Sequence, residues 1–288
     1  MEKSTGIGTH ALMIWMIVGV VVGGASVFQA LTYTLWLYEG RVHRGGARRP
    51  RVRPVPASLM LWTGELMATL LVQLSWPLGL RDSRRIASSR SGERPVLLVP
   101  GWSLNRASLA VLTARLRRDG RDAYAVNYST TARDFDRKAR EVADALVEIA
   151  ERSGADRVDV VAHSQGGVVL RLAAARDGVG RRIGNVVTLG SPHRGATLAA
   201  AFPELGVTEL MPGSRMLERL VEEEPFPETV HFASIYSGFD AIVFPTALSE
   251  HPRAMNIAID DVGHHGLLYS DRVYGLVKEN LDVEPRES

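Results

Sequence analysis

Residues 160–167, VVAHSQGG, place a serine between an apolar strand and a pair of glycines. The run of valine and alanine before His163 is typical of a buried strand, and a helical stretch follows over residues 168–176. Ser164 is therefore predicted at a strand-to-helix turn. In open α/β sheets, sites form at the carboxyl ends of the strands. Other strands of the same sheet should therefore bring further side chains close to Ser164.

Apolar runs and amphipathic helices alternate on both sides of this stretch. This alternation predicts an α/β fold with a mostly parallel sheet of about six strands and helices on both faces. The predicted strands cover residues 95–100, 122–128, 157–163, 185–191, 230–236 and 255–260. The predicted helices between them cover residues 106–118, 133–152 and 168–176.

Composition excludes several classes of function. The 288 residues are 45% hydrophobic and 23% charged, which is ordinary for a folded protein. The net charge of +2 comes without a basic stripe interleaved with aromatic residues, so we expect no nucleic-acid partner. The chain has no cysteine, which rules out disulfides, thiolate catalysis and cysteine-bound zinc.

The N-terminal third is predicted to be a membrane region. Residues 11–30 contain no charged side chain, and about 20 apolar residues suffice to cross a bilayer. We therefore predict a transmembrane helix at about 11–31. The alternative is a cleaved signal peptide, but the apolar run is longer than usual for one and no clear cleavage site follows.

A second apolar segment, residues 57–80, contains Glu65 and Gln73. It is either a second span or a helix lying in the membrane interface. Residues 41–53 carry six arginines and should stay cytoplasmic. With two spans the α/β domain that follows lies outside the cytoplasmic membrane, and with one span inside. We favour two spans and an extracytoplasmic domain.

These patterns divide the chain into four predicted parts. They are residues 1–56 (transmembrane helix and arginine-rich loop), 57–92 (second apolar segment and basic linker), 93–283 (α/β domain) and 284–288 (tail).

The turn at Ser164 carries a motif. Ala162-His163-Ser164-Gln165-Gly166 has the small-x-Ser-x-Gly pattern of the nucleophile elbow of α/β-hydrolases. The alternative is a serine that caps a helix. A serine nucleophile needs a base and an orienting acid, which in this fold follow in the order acid, then histidine. Asp240 follows one predicted strand, and His264 and His265 follow the last.

Several segments resemble the small lidless bacterial lipases of the Bacillus type, the class 2 lipases. The segments are AHSQGG (162–167), VVTLGSPHRGA (186–196), ASIYSGFDAIVFP (233–245) and DVGHHGLLYSDRV (261–273). The resemblance covers about residues 94–283 and implies the α/β-hydrolase fold. It also implies Ser164 as nucleophile, Asp240 as acid and His264 as base, with His265 at a variable position.

The oxyanion hole of this fold needs two backbone donors. The candidates are the N–H groups of Gln165 and of Trp102, which follows Pro100-Gly101 where the family usually has His-Gly. His163 and His193 are candidate substrate contacts. Strand alternation turns His163 away from Ser164, which favours a structural role for it.

The resemblance implies hydrolysis of carboxylic esters, including lipids, through an acyl-enzyme. No cofactor or metal is implied, and the predicted partners are an ester or lipid substrate and the bilayer. The same triad also serves acyltransferases, thioesterases and amidases, and a third alternative is a non-catalytic membrane-anchored binding module. Within residues 203–228, a predicted helix at 209–221 is either a partial lid or acyl wall, or a surface connection.

Overall fold

The computed structural model describes residues 5–42, 55–80 and 93–284. Its sheet has six parallel strands in the order β2-β1-β3-β4-β5-β6. The α/β class and the six-stranded sheet predicted from the sequence are confirmed. The strands are β1 (Val96–Val99), β2 (Ala123–Ala125), β3 (Val158–His163), β4 (Ile183–Leu189), β5 (Phe232–Ser237) and β6 (Met255–Ile259).

Helices precede the sheet and cover both of its faces. The α-helices are α1 (Thr5–Val42), α2 (Val55–Ser75), α3 (Ala110–Arg118), α4 (Phe135–Ser153), α5 (Gln165–Ala174), α6 (Thr197–Ala201), α7 (Arg215–Glu222) and α8 (Asp271–Leu281). Short 3-10 helices cover Trp76–Gly79, Arg106–Leu109, Gly180–Arg182, Pro203–Leu205, Thr208–Leu210, Thr246–Ser249 and Gly266–Leu268.

The core has two apolar layers, one on each face of the sheet. Alternate residues of β1 point to opposite faces, as the two-residue period of a strand requires. Leu97 and Val99 pack with α4 and α5, whereas Val96 and Leu98 pack with α3 and α8. This sandwich fixes the carboxyl ends of the strands, where the chain then turns.

The two N-terminal helices lie against the α/β domain that follows them. Tyr33 of α1 donates a hydrogen bond to the Phe239 carbonyl (3.3 Å), and Trp36 stacks on the Phe239 ring. From α2, Val72 is buried in the core layer that contains α3 and α8. The 3-10 helix after α2 is fixed by Asn127, whose side-chain amide donates to the Gly79 carbonyl (2.7 Å).

The membrane spans predicted at 11–31 and 57–80 find no support. Within the described residues, no helix is both long enough and apolar enough to cross a membrane. Polar side chains on both helices are instead buried against protein: Gln29, Thr32, Glu65 and Thr69. Most of the arginine-rich loop and basic linker, residues 43–54 and 81–92, and the tail from residue 285 lie outside the described residues.

The segment between β4 and β5 differs from the single helix predicted at 209–221. A 3-10 turn over Thr208–Leu210 ends before Pro212 and Gly213, and α7 then begins at Arg215. Proline lacks a backbone donor and glycine favours non-helical conformations, so this pair interrupts the helix. The hydroxyl of Ser214 caps α7 by accepting from the Leu217 N–H.

Candidate active site

Ser164 occupies a strained turn between β3 and α5. Its backbone has φ 54° and ψ −130°, a region that residues other than glycine rarely adopt. A Cβ on Gly166 would lie 2.7 Å from the carbonyl oxygens of Val99 and Pro100, so only glycine lets α5 approach β1 this closely. The turn places the hydroxyl of Ser164 at the carboxyl end of the sheet.

Asp240 and His264 meet at the same end of the sheet, each in a loop that follows a strand. The Nδ1 atom of His264 lies 2.6 Å from Oδ2 of Asp240. The other carboxylate oxygen of Asp240 accepts from the N–H groups of Ile242 (2.8 Å) and Val243 (2.7 Å), which fixes the carboxylate. This contact orients His264 with Nδ1–H towards Asp240, which leaves Nε2 as the ring nitrogen able to take a proton.

The environment favours protonation of His264. Burial alone lowers the pKa of the imidazole, but the charge and hydrogen bond of Asp240 outweigh it, with a further contribution from the charge of Glu65. The net effect raises the pKa of His264. Gly190, at φ +56°, lies against the pair formed by Asp240 and His264. A Cβ there would lie 3.1 Å from Asp240 Oδ2 and 3.2 Å from His264 Nδ1.

Ser164 and His264 line one cavity of about 640 Å³, together with His163, Trp102 and Gln165. Most of the remaining wall is apolar. The N-terminal helices and the segment between β4 and β5 both contribute to it, through Phe28, Val72, Leu74, Trp76, Leu205, Val207 and Leu210. The segment predicted as either an acyl wall or a surface connection therefore borders the cavity.

The loop after β1 lies directly against the turn at Ser164. A Cβ on Gly101 would lie 2.9 Å from Cβ of Ser164. The Tyr128 hydroxyl donates to the Pro100 carbonyl (2.8 Å), which supports the loop where the resembling lipases have histidine. Trp102 follows in a turn, and Gln165 begins α5, where the N–H groups of the first turn have no partner within the helix.

Gln165 is also held by its side chain. Its Oε1 accepts from the Lys138 ammonium (2.7 Å), and its Nε2 donates to the Thr130 carbonyl (3.0 Å). Burial lowers the pKa of Lys138 to about 8, against the opposing charges of Glu209 and Asp134. The side-chain contacts fix the residue whose amide is the first candidate oxyanion donor.

Comparison with known proteins gives the family. The sequence model of the palmitoyl protein thioesterase family matches residues 95–239, which is half of the chain. The chain belongs to the palmitoyl protein thioesterase family. The match includes Ser164 and ends one residue before Asp240.

Solved structures share the fold of this thioesterase-family chain. The mature lipase BlEst2 of Bacillus licheniformis is 17% identical, with a TM-score of 0.55, and the match covers 71% of this chain and 97% of the lipase. Lipase B of Aspergillus fumigatus is 16% identical, with a TM-score of 0.58 and coverage of 85% and 61%. The resemblance to bacterial lipases is thus confirmed at the level of the α/β-hydrolase fold.

The other two predicted site histidines of this family member have different surroundings. Contrary to the expectation from strand alternation, His163 lines the same cavity as Ser164, and its Nε2–H donates to the His264 carbonyl (3.3 Å). His193 is fully buried against Phe232 and His251, with Nε2 2.9 Å from the Thr188 hydroxyl, and it is not part of the cavity wall. Burial lowers the pKa of both histidines well below the ordinary value, so both are neutral. This placement favours a structural role for His193.

Two charged residues at the site were not singled out from the sequence as site residues. Lys138 lies three residues after Phe135 and four before Val142, so helical spacing alone places it on the buried face of α4. Glu65 interrupts an apolar helix as a lone carboxylate. Among the described residues, no group of three or more histidine, aspartate or glutamate side chains is placed to hold a metal ion.

Proposed function

We propose that this protein is a serine hydrolase of carboxylic esters, with Ser164 as nucleophile, His264 as base and Asp240 as orienting acid. The observation that carries the proposal is the 2.6 Å contact between His264 Nδ1 and Asp240 Oδ2, beside a cavity that Ser164 also lines. The strained backbone of Ser164 supports it, because such strain clusters at functional sites.

The reaction follows the general logic of serine catalysis. The Ser164 oxygen attacks the acyl carbonyl while Nε2 of His264 takes the hydroxyl proton. Asp240 accepts from Nδ1–H and stabilises the imidazolium that forms. His264 then gives its proton to the leaving oxygen, and the acyl group stays on Ser164. In the second half of the reaction His264 takes a proton from water, which attacks the acyl carbonyl. His264 then gives that proton to the Ser164 oxygen as the carboxylic acid leaves.

The oxyanion of each tetrahedral intermediate is proposed to bind the N–H groups of Trp102 and Gln165. Gly101, which precedes Trp102, lies against Ser164, and Lys138 and Thr130 hold the side chain of Gln165. Preorganised donors of this kind are worth about 10²–10³ in rate each.

The apolar cavity supports a substrate with a hydrocarbon acyl chain. Acyl thioesters are the second candidate substrate, because the matching family is described as a palmitoyl protein thioesterase. Both substrates form the same acyl-enzyme, and they differ only in the leaving group, an alkoxide or a thiolate.

We also propose that the protein works at a membrane surface. Large apolar side chains stand exposed on α1, α2 and the 3-10 helix after them, including Val27, Leu31, Leu59, Met67, Leu74, Trp76 and Leu78. Exposed apolar surface of this extent is typical of interaction sites. Leu74 and Trp76 belong both to this surface and to the cavity wall, so the exposed apolar surface adjoins the cavity. The arginines of residues 41–53 would attract anionic headgroups.

The test compares the wild type with Ser164→Ala and Asp240→Asn. We expect a fluorophosphonate probe to label the wild type and not Ser164→Ala. Hydrolysis of p-nitrophenyl esters should fall about 10⁶-fold in Ser164→Ala and about 10⁴-fold in Asp240→Asn. Matched oxygen esters and thioesters of short and long acyl chains then rank the two substrate classes. A folded wild type that neither labels nor hydrolyses any of them contradicts the proposal, and product formed on an added alcohol would indicate acyl transfer.

A further inference from the structure

Glu65, in the middle of the apolar helix α2, is hydrogen-bonded to the loop that carries His264. Its carboxylate is only 6% exposed. Oε1 accepts from the backbone N–H of His265 (2.7 Å), and Oε2 accepts from that of Gly266 (2.9 Å). These are the two amides that directly follow His264 in the chain. Both carboxylate oxygens are therefore used to hold the peptide next to the candidate base.

The loop is shaped to receive this carboxylate. A Cβ on Gly263 would lie 2.4 Å from Glu65 Oε2, and a Cβ on Gly266 would lie 3.3 Å from it. Glycine at both ends of Gly263-His264-His265-Gly266 thus leaves the space that Glu65 fills. The contact is a fitted one rather than a chance approach of two surfaces.

One turn further along α2, Thr69 contacts the same loop. Its hydroxyl oxygen lies 3.1 Å from Nδ1 of His265, which is itself 3.2 Å from Glu65 Oε1. Helix α2 therefore holds residue 265 by both backbone and side chain. His163 holds the preceding residue through the His264 carbonyl.

Glu65 is ionised in this position. Burial alone raises the pKa of the carboxyl group, but hydrogen bonds and the charge of His265, with the Gly266 amide, outweigh it and lower the pKa overall. A buried negative charge next to the loop favours the cationic form of His264, as Asp240 also does. That is the form the imidazole takes during each proton transfer.

We propose that Glu65 is a positioning residue for His264, which it fixes in place through the amides of His265 and Gly266. The inference rests on the proposed function, because it assumes that His264 is the base. It makes the N-terminal helices part of the active site: without α2, the base loop loses the carboxylate that orders it.

The decisive variant is Glu65→Gln, which keeps the shape and removes the charge. We expect kcat/KM to fall about tenfold or more, as when partners that orient metal-binding histidines are removed. We also expect the acid limb of the pH profile of kcat/KM to move to lower pH, because loss of a negative charge lowers the pKa of the His264 imidazolium. The titratable groups around this pair are Asp240, His163, His265 and Tyr33.

Three controls separate positioning from simple packing. Glu279→Gln removes an exposed carboxylate from α8 and should leave activity and pH profile unchanged. Thr69→Val removes a contact with His265 without changing the charge. The acid limb of its kcat/KM profile should therefore stay at the wild-type pH, whatever the value of kcat/KM. Glu65→Asp keeps the charge but shortens the reach, so its acid limb should also stay while kcat falls.

The outcomes are distinct. If Glu65→Gln is folded and its acid limb coincides with that of an active wild type, Glu65 only packs and the inference is overturned. If Glu65→Gln does not fold, the test passes to Glu65→Asp. A lower kcat, with the acid limb of the pH profile at the wild-type pH, supports the positioning role of Glu65. A kcat equal to that of the wild type overturns the inference. A wild type that fails to label with fluorophosphonate overturns the proposed function itself, and the role of Glu65 with it.

Discussion

Helices α2 and α4 each bring one buried charged side chain to the candidate active site, and the two charges are opposite in sign. The carboxylate of Glu65 contacts the loop of His264, whereas the ammonium of Lys138 contacts the side chain of Gln165. The negative charge lies beside the group that becomes a cation, and the positive charge beside a residue proposed to bind an anion. Each charge therefore favours the charge that would develop next to it.

The two helices differ in how their charged residues reach the site. α4 is amphipathic and belongs to the sheet's own covering layer, so Lys138 lies among core residues of the same helix. α2 precedes the catalytic domain, and its carboxylate contacts a loop about 200 residues further along the chain. Support for this site therefore comes both from inside the domain and from a helix that precedes it.

The largest expected effect on stability and activity comes from adding a Cβ at Gly166 or Gly263, where each glycine lies close to another part of the chain. Gly166→Ala presses a Cβ against two backbone carbonyl oxygens, so we expect the free energy of unfolding to fall by about 1–3 kcal/mol and activity to be lost with it. Gly263→Ala presses only on the Glu65 side chain, so we expect a smaller loss of stability but a comparable loss of kcat/KM. Thermal unfolding and ester hydrolysis of the two variants check this. If the two variants lose equal stability, the Glu65 side chain near Gly263 yields no more easily than the backbone carbonyls near Gly166.

A moderate effect is expected on the α4 side. Because the pKa of Lys138 is lowered to about 8, the ammonium loses its proton as the pH rises through about 8. We therefore expect kcat/KM of the wild type to decline above that pH. Lys138→Met, which has no proton to lose, should show a lower plateau of activity without this alkaline decline.

The measurement is the pH profile of ester hydrolysis from pH 6 to 10 for both proteins, corrected for spontaneous hydrolysis. The exposed Lys278, which pairs with Asp119 on the surface, gives a matched Lys278→Met control that should retain the wild-type profile. An alkaline decline that persists in Lys138→Met would show that another group causes it.

The smallest effect on chemistry is expected on the outer surface of α2. Leu59 is 63% exposed and does not line the cavity. Leu59→Glu should weaken sedimentation with anionic phospholipid vesicles, while hydrolysis of a short, water-soluble ester stays at the wild-type rate. Leu59→Ala serves as the control without a charge. If both variants bind vesicles as the wild type does, the apolar surface of α2 is not the lipid contact.

Much of the fold followed from local patterns. All six strands lie where apolar runs bounded by turn residues predicted them. The inner strands are apolar because a parallel sheet buries both of their faces, whereas β6 at the edge of the sheet is partly exposed. Ser164 could be singled out from its motif, and Asp240 and the His264-His265 pair from their places after strands. Only the resemblance to the class 2 lipases chose His264 over His265. The helix predicted at 209–221 was wrong in part, since the Pro212-Gly213 pair outweighed the helical propensity around it.

The sequence by itself determined the alternation of strands and helices, the turn at Ser164 and the residues that parallel strands must deliver to one edge. Only the tertiary structure decided what the apolar N-terminal segments do. An apolar run with one glutamate has the same pattern whether it lies in lipid or against protein, because the free energy of burying the carboxylate depends on its partners. Here those partners are two amides beside His264, and only docking of α2 on the domain brings them within reach.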